Sequence, residues 1–257
     1  MVNFFNSRQV DQWRRRLIDA LYPPRCRLCG DPGAAGIDLC HECRCGLPWN
    51  RAACPRCAHP CVTEAEAPPG ETACPQCRRR PTRFDTAIAP LLYEPPAETL
   101  IHHFKFRGRL ADGRLLGMLL ARAVAQRVTA LPLAVVPIPS HRGRLMKRGF
   151  EPTWEIARWL RRELPELRIL DALEKRRATP FQSALPARQR RDNIRGAFVP
   201  RNIELPRHVA VLDDVVTTGA TAEEAARILR RAGVERLDLW AVARTPQPEP
   251  ALASFLP

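Results

Sequence analysis

The run His208-Val-Ala-Val-Leu-Asp-Asp-Val-Val-Thr-Thr-Gly-Ala-Thr221 joins an apolar stretch to two carboxylates and a hydroxyl-rich glycine turn. Residues 209–212 predict a buried strand, and Thr221-Ala-Glu-Glu-Ala-Ala-Arg-Ile-Leu-Arg-Arg-Ala232 predicts a helix that stops at Gly233. The turn between them then sits at a helix N-terminus. There the unpaired N–H groups of Thr217, Thr218, Gly219, Ala220 and Thr221, helped by the helix dipole, favour an anion. Gly219 carries no side chain to block close approach, and the threonine hydroxyls add donors. Asp213 and Asp214, followed by Val215 and Val216, set acceptors beside this phosphate cradle. Acids that accept hydrogen bonds from a sugar diol next to a phosphate site imply ribose 5-phosphate. A helix cap alone needs one acid or threonine rather than the whole string. Neither a Walker P-loop nor a G-x-G-x-x-G dinucleotide turn is present to offer a competing phosphate site.

Outward from this stretch, the 257-residue chain is long enough for one substantial core and a small satellite. All ten cysteines lie between Cys26 and Cys77, which predicts a boundary near Pro81. The expected division is an amphipathic helix over residues 1–22, a cysteine module over 23–80 and one α/β domain over 84–257. In the first segment Val10, Trp13, Leu17, Ile18 and Leu21 fall at helical spacing around Arg14, Arg15 and Arg16. It lacks the continuous apolar stretch and small-residue cleavage site of a signal peptide. No apolar run approaches the roughly 20 residues of a membrane span. The expected compartment is therefore the cytoplasm. Reduced thiols there bind metal more often than they pair.

The cysteines form four Cys-x-x-Cys knuckles: Cys26 with Cys29, Cys40 with Cys43, Cys54 with Cys57, and Cys74 with Cys77. The three-residue step lets two thiolates face one ion, and two knuckles complete the tetrahedral four-sulfur shell of structural zinc. Two Zn2+ ions are expected. Sequential and interleaved pairing of the knuckles have identical spacings, and Cys45, Cys61, His41 and His59 are spare ligands. Few apolar residues intervene, so metal would supply much of the folding free energy of this module.

In the larger segment, residues 86–93 predict a strand and 98–128 helix, interrupted at His102-His-Phe-Lys-Phe-Arg-Gly108. A strand over 131–138 runs into Pro139-Ser-His-Arg-Gly-Arg-Leu-Met-Lys-Arg-Gly-Phe150. Ser140 and the cations Arg142, Arg144, Lys147 and Arg148 give this loop the character of a pyrophosphate site at the carboxyl end of a strand. A helix over 153–164, strands near 167–173, 197–199 and 237–242, and a polar, Arg-rich candidate lid over 174–195 complete the pattern. Alternating strands and helices predict an open parallel sheet flanked by helices. The net charge of +14 favours anionic partners, nucleotide or nucleic acid. Lysine occurs only at Lys105, Lys147 and Lys175, however, and so arginine-rich a balance also arises from base composition.

The 208–221 stretch resembles the phosphoribosyl pyrophosphate motif of type I phosphoribosyltransferases. Together with the N-terminal knuckles, Lys105, Arg148-Gly-Phe150, Thr179-x-x-Gln182-x-x-Leu185 and Arg190-x-x-Asn193-x-x-Gly196-Ala-Phe198, it resembles the ComF family of bacterial competence-associated proteins, which includes GntX. The likeness runs from about Cys26 to Arg244. It implies the type I phosphoribosyltransferase fold with an N-terminal zinc-ribbon-like module, a bacterial cytoplasmic location and, in some members, an association with DNA uptake. On this reading Mg2+ enters with phosphoribosyl pyrophosphate, Asp213 and Asp214 are the catalytic pair, and a nitrogen acceptor takes the phosphoribosyl group. The competing reading is a non-catalytic sensor of a phosphoribosyl ligand that holds nucleic acid or DNA-uptake proteins. One departure stands out: the family continues Arg-Gly-Phe with Asn-Gln, whereas Glu151-Pro152 follows here.

Overall fold

The computed structural model describes residues 23–34, 36–61, 73–177 and 193–246. The expected helix over 1–22, the middle of the candidate lid and the motif around Gln182 lie outside them. The chain divides into two compact units, Met1–Leu47 and Pro48–Pro257. The break between these units falls between the first and second pairs of knuckles.

In the smaller unit Ile37 and Leu39 are fully buried, beside the half-hidden sulfurs of the first two knuckles. Helix α1 (His41–Cys45) starts at Cys40, whose sulfur caps it by accepting from the Cys43 N–H.

The larger unit opens with the second pair of knuckles, including the short helix α2 (Pro75–Arg79). Its sheet is built from β1 (Thr86–Ile88), β2 (Leu91–Leu92), β3 (Ala134–Pro137), β4 (Arg168–Ile169), β7 (His208–Val216) and β8 (Arg236–Arg244). The order is β1-β8-β7-β3-β4, with β2 continuing beside β8, and every pairing is parallel. Strands β7 and β8 form the centre, and Val209 through Leu212 are wholly buried. That continuous apolar run is what a parallel strand covered on both faces requires. The expected α/β class is thus observed. Helices are α3 (Ala97–Arg107), α4 (Leu110–Arg127), α5 (Arg142–Arg148), α6 (Pro152–Glu163) and α7 (Ala220–Arg231). Alternate strand residues Val136, Val209, Val211, Leu237 and Leu239 share one core with Ala222, Ala225, Ala226 and Leu229 of α7. This two-residue period meets a helical stripe. Helices α4 and α6 pack together, close enough that a methyl group on Gly117 would lie 2.6 Å from the Trp159 Cβ.

Four features depart from the sequence expectation. His102 through Arg107 continue helix α3, which ends at Gly108 in the left-handed conformation. The cationic loop after β3 contains a helix, α5, capped by His141. Strand β7 runs on through both aspartates to Val216, because β8 stays in register with it as far as Arg244. Between β4 and β7 a separate antiparallel ribbon forms from β5 (Leu173–Lys175) and β6 (Phe198–Pro200).

That ribbon is tied to α7 by Glu224, which is buried and accepts from the Gly196 N–H at 2.8 Å and from Arg227 at 2.7 and 2.8 Å. Burial opposes the charge, but the Arg227 guanidinium and the Gly196 N–H hold the carboxyl below its ordinary value. Glu224→Ala is expected to cost about 3 kcal/mol in urea unfolding at neutral pH, since it strands a guanidinium and an amide. The contribution is fully present above the ordinary carboxylate range and is lost as pH falls through the lowered pKa. The difference from wild type should therefore shrink below about pH 4.

Candidate functional site

The carboxyl ends of β3 and β7 open onto a cavity of about 420 Å3. The turn after β7 forms one wall. Gly219 adopts φ +77° and caps α7, while the Ala220 N–H donates to the Thr218 hydroxyl at 3.4 Å. A Cβ at Gly219 would meet only Val216 Cγ1, at 3.9 Å. The left-handed backbone favours glycine there, and no protein atom crowds the position. The N–H groups of Thr217, Thr218 and Gly219 donate to no carbonyl of a described residue.

Asp213 and Asp214 line the cavity next to this turn. Asp213 Oδ1 accepts from the Asp214 N–H at 2.8 Å, and Asp214 Oδ1 accepts from the Val215 N–H at 2.6 Å. Lys105, reaching in from α3, lies 2.8 Å from Asp214 Oδ1. Burial first, and the neighbouring Asp214 charge second, push the Asp213 carboxyl up to about 7, against the pull of Lys105.

Of the expected pyrophosphate residues, Ser140, Arg144 and Arg148 line the cavity, whereas Arg142 and Lys147 point to solvent from α5. A seven-residue helix cannot turn all four cations to one side. Of the nine residues nominated over 213–221, all but Thr218 line this cavity. Thr218 faces a second cavity of about 630 Å3 behind the turn, beside Cys57 and Arg244.

Lining residues that the sequence did not nominate include Tyr93, Thr153 and Lys175, together with Glu151, which stood out only as a departure from the family pattern. Glu151, the departure from the family pattern, accepts from both the N–H and the hydroxyl of Ser140 at 2.8 Å. Burial, opposed by those two bonds, raises its pKa, and the Asp214 charge raises it further. Lys175 sits 5.2 Å over the Phe198 ring. Burial, aided by Arg144, lowers it to about 8 even though Asp213 and Glu151 face it. Arg148 is lowered by burial and rests on Phe106, 5.4 Å from the ring centre.

The eight nominated cysteines collect into two groups, Cys26 with Cys29, Cys40 and Cys43, and Cys54 with Cys57, Cys74 and Cys77. Sequential pairing is therefore the observed one. Within each group the sulfurs lie within 4.8 Å of one another. Cys29 and Cys40 are 3.6 Å apart, and Cys57 and Cys74 3.8 Å. Four sulfurs about 2.3 Å from one ion form a tetrahedron with edges of about 3.8 Å, whereas a disulfide needs about 2 Å. The Cys74 N–H donates to the Cys54 sulfur at 3.3 Å, the kind of outer hydrogen bond that orients a thiolate ligand. The residues after the knuckles at Cys29 and Cys57 take positive φ, +88° at Gly30 and +55° at Ala58. Both groups thus fit two structural zinc ions. Cys45 and Cys61 belong to neither group. Among the described residues no helix is long and apolar enough to cross a membrane.

Comparison with known proteins agrees with this division of labour. Residues 17–78 match the double zinc ribbon domain family. DNA utilization protein YhgH of Escherichia coli (strain K12) is 33% identical over 235 residues, covering 87% of this chain and 98% of that protein. Competence protein F of Haemophilus influenzae is 32% identical over 256 residues, covering 95% of this chain and all of that protein. YhgH of Salmonella typhimurium is 31% identical over 231 residues. With likeness of that degree running from the zinc ribbons through the 217–221 turn, the chain belongs to the ComF family, alongside competence protein F and the YhgH DNA utilization proteins.

Proposed function

We propose that the cavity binds magnesium phosphoribosyl pyrophosphate and that the protein transfers the phosphoribosyl group to a nitrogen acceptor, a nucleobase-like amine, in the service of DNA uptake. The observation that carries this reading is the convergence of Thr217 and Gly219, whose amides donate to no carbonyl of a described residue, twin carboxylates and the cations Arg144 and Arg148 on one cavity at the carboxyl end of a parallel sheet. A ligand with phosphate at one end, a diol in the middle and pyrophosphate at the other matches that order of donors and acceptors. The turn grips the 5-phosphate, and Asp213 and Asp214 accept from the ribose hydroxyls. As the anomeric bond loosens, positive charge on the ring is favoured by the two acids, and the departing pyrophosphate by Arg144 and Arg148. Mg2+, when bound with the donor, neutralises pyrophosphate charge. The names of the relatives, one a competence protein and the others DNA utilization proteins, support the link to DNA uptake.

A second reading, a sensor that binds the ligand without turnover, draws on Glu151. Its carboxylate already occupies the amide and hydroxyl of Ser140, which would otherwise face pyrophosphate. Calorimetry with magnesium phosphoribosyl pyrophosphate is expected to give one saturable site per chain. Absence of saturable binding refutes both readings. Pyrophosphate release across a wide panel of nitrogen bases separates them: release supports transfer, and binding without any release supports the sensor.

A further inference from the structure

Arg244 ends β8 opposite Val216 and is 3% exposed. Its guanidinium makes no ion pair with a described carboxylate; it is spent on main-chain carbonyls. Nη1 donates to the carbonyl of Val216 at 2.8 Å, to that of Thr217 and to that of Thr245 at 3.4 Å, and Nε donates to the carbonyl of Cys57 at 3.2 Å. One side chain therefore joins a knuckle of the second cysteine site to the first two peptide groups of the phosphate turn. We infer that this site is a positioning element for the phosphate turn, acting through Arg244, so that zinc held by Cys54, Cys57, Cys74 and Cys77 tightens the grip on a phosphate-bearing ligand without touching it.

In a trans peptide the C=O and the following N–H point in opposite directions. Holding the Val216 and Thr217 carbonyls on Arg244 therefore aims the N–H groups of Thr217 and Thr218 away from it. Neither of those amides donates to a carbonyl of a described residue. Flipping either peptide to bond with its own surroundings would leave a buried guanidinium short of an acceptor, which is costly. The clamp thus pre-organises the anion site, and pre-organisation is paid back as affinity.

The other end of the clamp depends on the cysteine site. Cys57 is fixed by the knuckle, and the knuckle is seated on the sheet through Pro55, whose carbonyl accepts from the Ala87 N–H at 2.7 Å. Asn50, nearly fully buried, donates to the carbonyls of Ala58 and Ala89 at 2.8 and 3.1 Å. Loss of the ion would loosen the Cys57 carbonyl on which Arg244 holds. Four main-chain acceptors held by one planar fork is a task for arginine; lysine, a point charge with three donors on a single atom, cannot span them.

This inference rests on the proposed ligand for its affinity readout, but not for its structural one. The test uses the full-length, zinc-loaded protein with Arg244→Met, Arg244→Lys, Cys77→Ser and, as a seam control away from the turn, Arg56→Met, which loses a bond to the Phe84 carbonyl. Three quantities are measured: zinc per chain, hydrogen exchange of the 216–221 amides, and calorimetric affinity for magnesium phosphoribosyl pyrophosphate. Arg244→Met and Arg244→Lys are expected to keep both zinc ions, yet exchange these amides about tenfold faster and bind about tenfold more weakly. Cys77→Ser should reproduce both changes, and adding Arg244→Met to it should add little. Arg56→Met should change neither. If the turn amides in both zinc-loaded Arg244 variants exchange as in wild type, the inference is overturned, whether or not Cys77→Ser folds. If wild type binds no ligand, the proposed function falls while the exchange comparison still decides the coupling.

Discussion

Replacing Asp213 and Asp214 together by asparagine is expected to weaken binding of magnesium phosphoribosyl pyrophosphate at least about 100-fold, because each acid removed deletes charge-assisted hydrogen bonds worth roughly 1.5–3 kcal/mol apiece. The fold should survive. Asp213 is held in its costly form: burial and the adjacent Asp214 push its carboxyl up to about 7. A carboxyl whose folded pKa lies above its unfolded value loses stability as pH rises between the two. Removing the charge by Asp213→Asn alone should therefore raise the melting temperature at pH 8 by about 2–4 °C while binding is lost. The double variant forfeits the Lys105 contact as well and should melt near wild type. The same sign argument applies to the ligand. Ribose hydroxyls donate, so the ionised carboxylate binds best, and wild-type affinity should fall by up to about tenfold per pH unit below pH 7 and level off above it. The groups facing Asp213 are Asp214 on its own strand, Lys105 on α3 and Lys175 on β5. Calorimetry and melting curves at pH 6, 7 and 8 check all of this. Unchanged affinity in the double variant would remove the acids from the site, and a collapse of melting temperature would make them structural.

The 208–221 stretch was legible because everything that shapes it is local. An apolar run, a glycine in the left-handed region and a helical stripe of alanines and leucines state strand, turn and helix within a few residues. The knuckle spacing was legible for the same reason, since the three-residue step fixes which sulfurs can face together. What was hidden depends on partners far along the chain. Lys105 lies in a cationic run that reads as a break in a helix; only the position of Asp214 shows that the run is helix with one lysine turned inward. Strand β7 outlasts its apolar residues because β8 keeps pairing with it. No local pattern marks Glu151 or Lys175 as half-buried, so their shifted pKa values were out of reach, although the Glu151-Pro152 departure drew attention to the right place. Pro152 also occupies the first turn of α6, where a missing N–H costs nothing. Cysteine spacing alone could not show that the cysteines serve two different units: the first four lie in the small one, and the second four are hydrogen-bonded to the sheet of the larger.

That division sets the second large effect. A structural zinc site in a small module contributes an apparent binding free energy of about 10–16 kcal/mol, against a net stability of about 5–15 kcal/mol for a whole domain. Where the site is sewn into the domain, its loss is felt by the whole. The second site is joined to the sheet by the Pro55 carbonyl to β1, by Asn50, by Arg56 and Thr82 to Phe84, and by Arg244. Cys77→Ser is therefore expected to lower the main unfolding transition by at least about 15 °C, or to prevent folding. Cys43→Ser removes an ion from the unit that ends at Leu47 and should move that transition by less than about 4 °C. Exposure points the same way. In the second site Cys54, Cys74 and Cys77 are buried and Cys57 intermediate, while in the first Cys26 and Cys40 are buried, Cys43 is intermediate and Cys29 exposed. A chelator should accordingly extract one zinc quickly with the main transition intact, and the second only as the larger unit melts. Circular dichroism melts run with a zinc-sensitive dye read both events in one experiment. Equal shifts from the two variants, or release of both ions before melting, would show that the second site is an appendage and not part of the sheet that carries the 217–221 turn.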